Sequence, residues 1–460
     1  MATGPLNVVI IGGGLGGLCL AQGLAAAGVG VAVYEQDSTP TERAGRYRIH
    51  INPTGARALH DCLPPQLWEV FLRTAAAAGA GCGFVTEQLR ELVVVDDDVM
   101  TGTSSDPSTG HHAVSRAVLR QLLLAGLREA VHFGKRFERF ERRADGSITA
   151  FFADGTSVSA DVLVGADGAN SGTRQQYLPH ARRVDTGAIA VAGKHPLTDA
   201  SRTWLPEMLR SRLNTVFPPR HFLFTAVFDR RNAVDATGGS TGGSTGGSTD
   251  DVIRAMGLDP ALLFEGRHDY DYVFWTFIAN RAAYPGHLRD LDGRGLRRLV
   301  GDMTAGWHPA LRRLIAESDP GDMMLTVLKS SLPVAPWETT NVTLLGDAIH
   351  SMSPAGGIGG NTALRDASLL AGKLAAVHRG ELPLLAAVEA YEAEMLGYGF
   401  SAVHEALRNT RLAITTNRLA RTAARTWFQL CGTVPTLKRV TFGNAWTENT
   451  APRRSPAAAR

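Results

Sequence analysis

The sequence predicts a mixed α/β fold in which a parallel-sheet unit is split along the chain by an inserted β-sheet unit. One observation is a β-branched run at residues 7–11, followed by glycines, an Ala/Leu-rich helical stretch ending near Gly28, and an apolar run at 29–34. This order is a βαβ pattern. The other is a strand pattern at 342–345 that leads through a Gly-rich turn into a helical pattern at 358–374. Two such segments near opposite ends of the chain indicate one unit built from distant parts of the sequence.

The middle third of the chain differs in composition. Aromatic and β-branched runs at 222–228 and 270–278 have strand length, and they predict an antiparallel sheet that covers a pocket. Between them, a GGST repeat at 238–249 lacks the apolar side chains needed for packing, so we expect a surface loop that joins two strands. The inserted unit is therefore expected to form the pocket.

The C-terminal part is predicted to be largely helical at 382–430 and to end in a disordered Pro/Ala/Arg tail at 451–460. Arg418, Arg421 and Arg425 fall on one face of a helix. The opposite face is not continuously apolar, which argues against a membrane-surface helix. We therefore expect the arginines to lie on a solvated face.

Composition and charge indicate a packed globular protein and argue against a nucleic-acid-binding one. The chain has 460 residues, of which 44% are hydrophobic, enough for more than one packed core. Its 47 basic residues are scattered among 44 acidic ones, and the formal net charge is only +3. Without a concentrated basic surface, nucleic acid is not expected as a partner.

The cysteines and the N-terminus predict the compartment. Cys19, Cys62, Cys82 and Cys431 show none of the paired spacings of a zinc site or a disulfide framework, so we expect no metal site and a reducing cytoplasm. The N-terminus lacks a basic region and a cleavage site, and no segment is long and apolar enough to span a bilayer. We therefore expect no integral membrane contact.

A dinucleotide motif lies directly between the first strand and the first helix. Gly12, Gly14 and Gly17 form G-x-G-x-x-G, in which small residues allow a tight turn and bring a pyrophosphate close to a helix N-terminus. Glu35 ends the next strand, where it can accept hydrogen bonds from a ribose 2′-hydroxyl. An acid at this position favours FAD or NAD over NADP as the bound dinucleotide.

A second motif follows the late strand. Asp347, in Gly-Asp, is placed to bind a ribityl hydroxyl, and the next helix begins after a glycine-rich turn. Glycines let the backbone approach a planar ring, and the helix N-terminus favours negative charge on a reduced flavin. The candidate residues of this turn are Pro354, Gly357, Gly359, Gly360 and Asn361. Taken alone, the segment also fits a plain strand–turn–helix with an N-cap, whereas the first motif beside it favours a flavin.

Three segments occur in the order typical of para-hydroxybenzoate-hydroxylase-like flavoprotein monooxygenases. They are GGGLGG with Glu35, GADGANSGTR at 165–174 and LLGDAIHSMSPAGGIGGNTALRDA at 344–367. The chain resembles this class A family over nearly its whole length. The resemblance implies a bound FAD and a transient NADPH or NADH, for which a second G-x-G-x-x-G motif is not needed. It also implies that reduced flavin and dioxygen form a C4a-hydroperoxide, from which one oxygen atom passes to an electron-rich carbon.

The resemblance also sets the domain organisation that we expect. It implies a Rossmann-like FAD-binding domain split in sequence, an inserted β-sheet substrate domain and C-terminal helices. The FAD-binding domain is predicted at 1–70, 111–180 and 286–385, the substrate domain at 71–110 and 181–285, and the helical region with its tail at 386–460.

Several residues acquire expected roles from the resemblance. Arg116, in S-R-x-x-L-R, is implied to lie against FAD, Asp167 to couple FAD and nicotinamide binding, and Pro354 to lie beside the reacting edge of the flavin. Arg43 and Arg48 fall where family members bring a loop against the dinucleotide, although the family often has glycine at position 48.

Two histidines receive different interpretations. In some heteroaromatic hydroxylases that resemble this chain, a histidine matching His50 contacts the substrate, so His50 is a candidate to orient or deprotonate a phenol. A lone histidine is also compatible with simple packing. His350 follows the Gly-Asp motif and is expected to be structural.

The sequence leaves alternatives open. A flavin halogenase would need a W-x-W-x-I-P segment, and Trp307-His308-Pro309 is a different pattern. A flavin reductase or dehydrogenase without oxygen transfer, or a non-redox flavin-binding scaffold, would share the FAD motifs, and Ile358 stands where the family often has glutamine. Within the oxygenase class, hydroxylation, epoxidation and Baeyer–Villiger insertion stay open. The choice of NADPH or NADH as the reductant also stays open, as does the choice between a monomer and a homodimer. The apolar, aromatic middle domain favours a sizeable aromatic or polycyclic secondary metabolite as the substrate, with dioxygen as the second reactant.

Overall fold

The computed structural model describes residues 6–40, 42, 47–77, 81–96, 99, 106–229, 253–254, 257–259 and 271–443. Three features singled out above, Arg43, the GGST repeat at 238–249 and the tail at 451–460, lie outside the described residues.

Strands and helices are numbered separately in chain order. The strands are β1 (Asn7–Ile11), β2 (Gly30–Tyr34), β3 (Arg48–Ile51), β4 (Ala76–Ala77), β5 (Cys82–Val85), β6 (Glu91–Val95), β7 (His112–Ser115), β8 (Val131–His132), β9 (Phe137–Arg142), β10 (Ile148–Phe152), β11 (Ser157–Ala160), β12 (Val162–Gly165), β13 (Arg183–Pro196), β14 (Leu213–Val216), β15 (Phe222–Phe228), β16 (Tyr272–Asn280), β17 (Met324–Ser331) and β18 (Val342–Leu344). The α-helices are α1 (Leu15–Ala26), α2 (Pro53–Cys62), α3 (Pro65–Thr74), α4 (Arg116–Leu124), α5 (Gly172–Tyr177), α6 (Asp199–Trp204), α7 (Glu207–Ser211), α8 (Gly293–Met303), α9 (Pro309–Ala316), α10 (Asp347–His350), α11 (Gly359–His378), α12 (Leu384–Ile414), α13 (Arg418–Thr433) and α14 (Pro435–Phe442).

The first unit is built on a five-stranded parallel sheet with the order β18-β12-β1-β2-β8. Side chains alternate across it, as the two-residue period of a strand requires. Val8 and Ile10 face the core formed with α1 and α11, whereas Val9 and Ile11 face the antiparallel sheet β9–β11. Both faces of the parallel sheet are therefore covered, which explains the nearly continuous apolar sequence of β1.

The second unit is a seven-stranded sheet with the order β17-β13-β16-β15-β14-β5-β6. Val273, Trp275 and Phe277 of β16 are fully buried against α8 and α9 on its outer face. Phe274 and Thr276, which point to the inner face, stay half-buried. The outer face is thus fully packed, whereas the inner face is covered in part, with Ile278 buried near Ile414 of α12, and leaves Phe274 and Thr276 accessible.

The fold class is confirmed: the parallel unit is split in sequence, and its two parts meet where β18 pairs with β12. The domain boundaries stay a prediction, and strand pairing favours one adjustment to them. Because β17 pairs with β13 and α8 and α9 pack on the second sheet, residues 286–331 lie with the second unit and not with the first. Within the described residues, no helix has both the length and the apolarity to cross a bilayer.

One expectation for the C-terminal helices was wrong. Arg418 is exposed and Arg425 pairs with Glu87, but the Arg421 side chain is fully buried. Its guanidinium donates to the carbonyls of Pro218 at 2.9 Å and Ala413 at 3.1 Å, and it lies over the ring of a neighbouring aromatic residue. Helical periodicity places the three arginines on one face. It does not show that Arg421 packs against carbonyls at the ends of other elements, which lack a hydrogen-bond partner within their own element.

Candidate functional site

The first candidate segment is the turn between β1 and α1. Gly12 has φ +110°, and a Cβ atom there would lie 2.4 Å from the Ala166 carbonyl oxygen, so only glycine fits. A Cβ atom on Gly14 would meet nothing within 4 Å, and Gly14 begins α1 without any side-chain cap. The N–H groups of the first helical turn therefore face open space, which fits a pyrophosphate.

Glu35 fixes the shape of this turn. Its carboxylate accepts hydrogen bonds from the backbone N–H of Gly13 at 2.6 Å and from that of Asp37 at 2.9 Å. A carboxylate has about four acceptor positions, so these two bonds leave capacity for a ribose hydroxyl. The ribose contact itself stays a prediction.

Arg120 is a residue of this site that the sequence analysis did not single out. It is buried, its Nε donates to the Gly13 carbonyl at 3.2 Å, and its guanidinium lies 3.6 Å from the Asp37 carboxylate and 3.9 Å from that of Glu35. Burial lowers the pKa of Arg120, while Glu35 and Asp37 counteract this shift. The second arginine of S-R-x-x-L-R was the available signal, because it follows Arg116 by one helical turn.

Asp347 is the centre of the second candidate segment. The Asp347 side chain is solvent-accessible, yet the surrounding protein removes part of its hydration and so raises its pKa above the ordinary carboxyl value. The positive charges of His350, Arg183 and Arg116 reduce this shift. This combination is typical of a carboxylate on the wall of a deep, open recess. Arg183, at the start of β13, had no sequence signal.

The turn after α10 is held against β3, a strand of the small sheet β3-β7-β4. Asn361 accepts a hydrogen bond from the Asn52 N–H at 3.0 Å and donates to the His50 carbonyl at 2.9 Å and to the Gly357 carbonyl at 3.1 Å. A Cβ atom on Gly360 would lie 2.7 Å from the Ile49 side chain. The predicted turn is therefore packed directly on β3.

The outer part of the same turn is open. Pro354 and Gly357 are exposed, and the Gly357 N–H donates to the Pro354 carbonyl at 3.0 Å. Gly357 has φ +66°, and a Cβ atom there would meet nothing within 4 Å; Gly359 starts α11, where no side chain caps the helix. An exposed backbone ending in an uncapped helix N-terminus fits a planar ring that carries negative charge. The ring contacts of Pro354, Gly357 and Gly359 stay predictions.

Arg48 and His50 lie on the opposite face of β3 from Ile49, as strand alternation requires. The Arg48 backbone N–H donates to the Tyr272 hydroxyl at 2.9 Å, and its guanidinium donates to the Val227 carbonyl and lies 5.5 Å from the centre of the Phe228 ring. Burial lowers the pKa of Arg48 to about 10. This guanidinium thus contacts the second sheet, and its contact with the dinucleotide stays a prediction.

His50 is paired with a second histidine. Its Nε2 lies 2.8 Å from Nδ1 of His111, and the two rings are stacked with centres 4.9 Å apart. Burial, followed by the charges of His111, Arg48 and His112, lowers the pKa of His50 to about 3. The consecutive histidines His111 and His112, at the start of β7, were the signal that the sequence analysis missed.

Arg116 and Asp167 lie at the two sides of the recess. The Arg116 guanidinium lies 6.0 Å from the centre of the Tyr47 ring, and its charge acts on Asp347. The Asp167 carboxylate accepts hydrogen bonds from the Ser171 hydroxyl at 2.5 Å and from the Thr173 N–H at 3.1 Å, so it fixes the start of α5. Its implied role in coupling FAD to nicotinamide stays a prediction.

The fold and this recess define a dinucleotide-binding protein of the flavoprotein class. The family model for the FAD binding domain matches residues 5–212 and 310–405, which is more than half of the chain. The chain therefore belongs to this FAD-binding family, and the predicted relation to class A FAD-dependent monooxygenases is confirmed. FAD is its cofactor. The described residues contain no cluster of His, Cys, Asp and Glu that could hold a metal ion.

Three relatives illustrate the similarity. A dual O-methyltransferase/FAD-dependent monooxygenase of Cercospora beticola is 32% identical over 410 residues, which are 84% of this chain and 44% of that protein. The FAD-dependent urate hydroxylase of Klebsiella pneumoniae is 29% identical over 402 residues, 85% of each chain. A crystal structure assigned to an FAD-containing monooxygenase of Photorhabdus luminescens has a TM-score of 0.75 and 33% identity, covering 89% of this chain and 98% of that one. The chain thus spans less than half the length of the dual-function relative.

The His50 pair predicts a specific response to acid. Because the pKa of His50 is about 3 in the folded protein and about 6.5 in an unfolded chain, the unfolded state alone gains this proton as pH falls below about 6.5. Folding stability should therefore fall between pH 6.5 and 3, and His50→Asn should lose less of it. The measurement is the thermal midpoint of both proteins from pH 7 to pH 4.

The exposed His180 supplies the control for this experiment. His180→Asn should follow the wild-type curve throughout. If wild type and His50→Asn lose stability in parallel, His50 is protonated in the folded protein and the assigned pKa is wrong.

Proposed function

We propose that this protein is an FAD-dependent, NAD(P)H-consuming monooxygenase that places one oxygen atom on an aromatic substrate, most simply as a hydroxyl group. One observation carries the proposal: Asn361 binds the predicted flavin turn to the backbone of β3, while Arg48 on the same strand contacts the aromatic sheet. The cofactor segment and the pocket therefore lie on the two sides of β3. The urate hydroxylase among the relatives favours hydroxylation over epoxidation or Baeyer–Villiger insertion.

The inner face of the second sheet is suited to an apolar, planar substrate. Cross-strand pairs place Phe224 beside Thr276, and Ala226 beside Phe274, with their side chains half-buried. Aromatic side chains present large, rigid apolar surfaces that pack against other rings. We infer that the substrate is a sizeable aromatic or polycyclic metabolite, stacked on these rings and shielded from bulk water.

Different residues are proposed to bind FAD and to keep water from the reacting groups. When bound, FAD supplies the redox chemistry, accepting a hydride from the nicotinamide and reacting with dioxygen. Gly12, Gly14 and Glu35 hold its ADP part, and Asp347 holds the chain between the phosphates and the ring. The aromatic face of the second sheet keeps the reacting groups dry, which limits loss of activated oxygen to water.

His50 is proposed to orient a substrate hydroxyl. The depressed pKa keeps its imidazole neutral at pH 7, so one ring nitrogen can accept a hydrogen bond, and His111 at 2.8 Å holds the ring in place. A group with a pKa of about 3 is too weak a base to take up a phenolic proton, so the hydroxyl stays hydrogen-bonded to His50. Arg48, on the same face of β3, provides a positive charge near this hydroxyl.

The test is oxidation of NADPH and of NADH by the FAD-loaded protein under ¹⁸O₂, with a panel of polycyclic phenols and small benzoates. We expect a polycyclic phenol to accelerate oxidation and to gain one ¹⁸O atom, with little hydrogen peroxide. A reduced product without oxygen uptake would move the assignment to a flavin reductase. A flavin that neither nicotinamide reduces would favour a non-redox scaffold, and preference for small benzoates would overturn the substrate class.

We also propose that the protein acts in the cytoplasm. All four cysteines are free and buried, in agreement with the predicted reducing cytoplasm. Small molecules, namely the aromatic substrate, dioxygen and the nicotinamide, are the partners that we propose.

A further inference from the structure

A buried carboxylate lies directly behind the Gly-Asp segment that bears Asp347. Asp366, on the second turn of α11, has no exposed surface. It accepts three hydrogen bonds: from the Gly346 N–H at 2.7 Å, from His350 Nε2 at 2.6 Å and from the Tyr398 hydroxyl at 2.6 Å. These donors belong to the two ends of α10 and to α12, so one side chain joins three elements.

The bonds to α10 determine where Asp347 lies. Gly346 immediately precedes Asp347 and has φ +64°, and His350 is the last residue of the same single-turn helix. On the other side, Arg174 donates to the Ala348 carbonyl at 2.9 Å. A helix of only four residues has little stability of its own, so its position depends on these contacts.

We infer that Asp366 is a positioning residue for FAD: it clamps both ends of α10 and thereby aims the Asp347 carboxylate into the cofactor recess. Asp366 lies too deep to touch the cofactor, and it acts through Gly346 and His350. Because Asp366 lies on α11, which begins at the predicted flavin turn, it also connects α10 to that turn. The inference rests on FAD binding at Asp347 and is independent of whether the bound flavin transfers oxygen.

The electrostatics of the clamp agree with this role. Burial lowers the pKa of His350, but the charge and hydrogen bond of Asp366, together with the charge of Asp347, outweigh burial, so the net shift is upward. An uncompensated charge at Asp366 would be costly in the core, and each of its three donors reduces that cost. Replacement by alanine would remove both carboxylate oxygens, so Gly346, His350 and Tyr398 would lose their acceptor and the clamp would open.

The experiment is a double-mutant cycle on FAD affinity, measured by titrating the full-length apoprotein with FAD. Asp366→Ala and Asp347→Asn should each raise the FAD dissociation constant about tenfold or more. Because Asp366 acts through Asp347, the double variant should bind FAD nearly as well as Asp347→Asn does. Multiplication of the two effects, or an unchanged dissociation constant in Asp366→Ala, would overturn the inference.

Two further variants separate positioning from general stability. Tyr398→Phe removes the donor that is not part of α10, so it should lower the thermal midpoint but change FAD affinity less than about twofold. Gly399→Ala keeps every hydrogen-bonding group, yet its Cβ atom would lie 2.6 Å from Cδ2 of His350 and would displace the ring. It should weaken FAD binding even if Asp366→Ala fails to fold, and wild-type affinity in Gly399→Ala would count against the clamp.

Discussion

Replacement of Gly14 by alanine should weaken FAD binding about tenfold or more and leave the stability of the apoprotein unchanged. The backbone at Gly14 is extended, with φ −75° and ψ 179°, so alanine can adopt it. The added methyl group would meet no protein atom within 4 Å and would occupy the open space at the N-terminus of α1, where the pyrophosphate is expected. A tenfold loss corresponds to about 1.4 kcal/mol of binding free energy. Fluorescence titration with FAD and thermal unfolding of the apoprotein measure the two quantities.

Gly17→Ala is the matched variant with a different expected result. A Cβ atom there would lie 2.2 Å from the Gly12 carbonyl oxygen, so the turn itself must move. Overpacking of this kind costs about 1–3 kcal/mol of folding free energy, and FAD binding should fall as well. If Gly14→Ala binds FAD as tightly as wild type, the pyrophosphate does not approach this turn. If Gly14→Ala also destabilises the apoprotein, the effect on FAD is not specific.

Arg421→Met should give the largest loss of stability among single substitutions at the C-terminal helices. The guanidinium joins the end of α12 and the loop before β15 to α13, through the carbonyls of Ala413, Pro218 and His221. Methionine fills much of the volume but leaves these carbonyls without their donor. An unsatisfied buried group costs about 1–3 kcal/mol, so two or three of them predict a loss of about 3 kcal/mol or more. Chemical denaturation of the FAD-free protein measures this loss.

The exposed Arg418, three residues earlier on the same helix, provides the control. Arg418→Met should change the free energy of unfolding by less than about 0.5 kcal/mol, as is usual for surface positions. FAD affinity should be retained in both variants, because neither arginine contacts the turns at Gly12 or Asp347. Equal stability of the two variants would mean that α13 is not held by Arg421.

Much of the cofactor unit was predictable because its signals are local. Glycines between a β-branched strand and an Ala/Leu-rich helix specify a tight turn through backbone geometry alone, and β1 was predicted with the bounds that the structure has. The strand at 222–228 was likewise predicted from aromatic and β-branched composition. The return of the parallel sheet at β18 was predicted from its glycine-rich turn.

The partners of charged side chains were much less predictable. Arg421 was expected in solvent and is buried, and the contact of Arg48 with the second sheet had no local sequence signal. Both side chains bind carbonyls of residues far away in the sequence, and no local pattern encodes such a contact. The pair of His50 and His111 has the same origin, since it forms only when β3 and β7 align in antiparallel register.

By itself, the sequence determined the fold class and the position of both glycine-rich turns, because these depend on periodicity and on glycines at fixed spacing. The FAD family followed from the resemblance of three ordered motifs to known flavoproteins. Only the tertiary structure decided that Asp366 lies behind Asp347, that β3 separates the cofactor turn from the aromatic sheet, and that Arg120 joins Glu35 to the first turn. The physical reason is that hydrogen bonds and ion pairs depend on distances of a few ångströms between distant segments, and these distances exist only when the layers have packed.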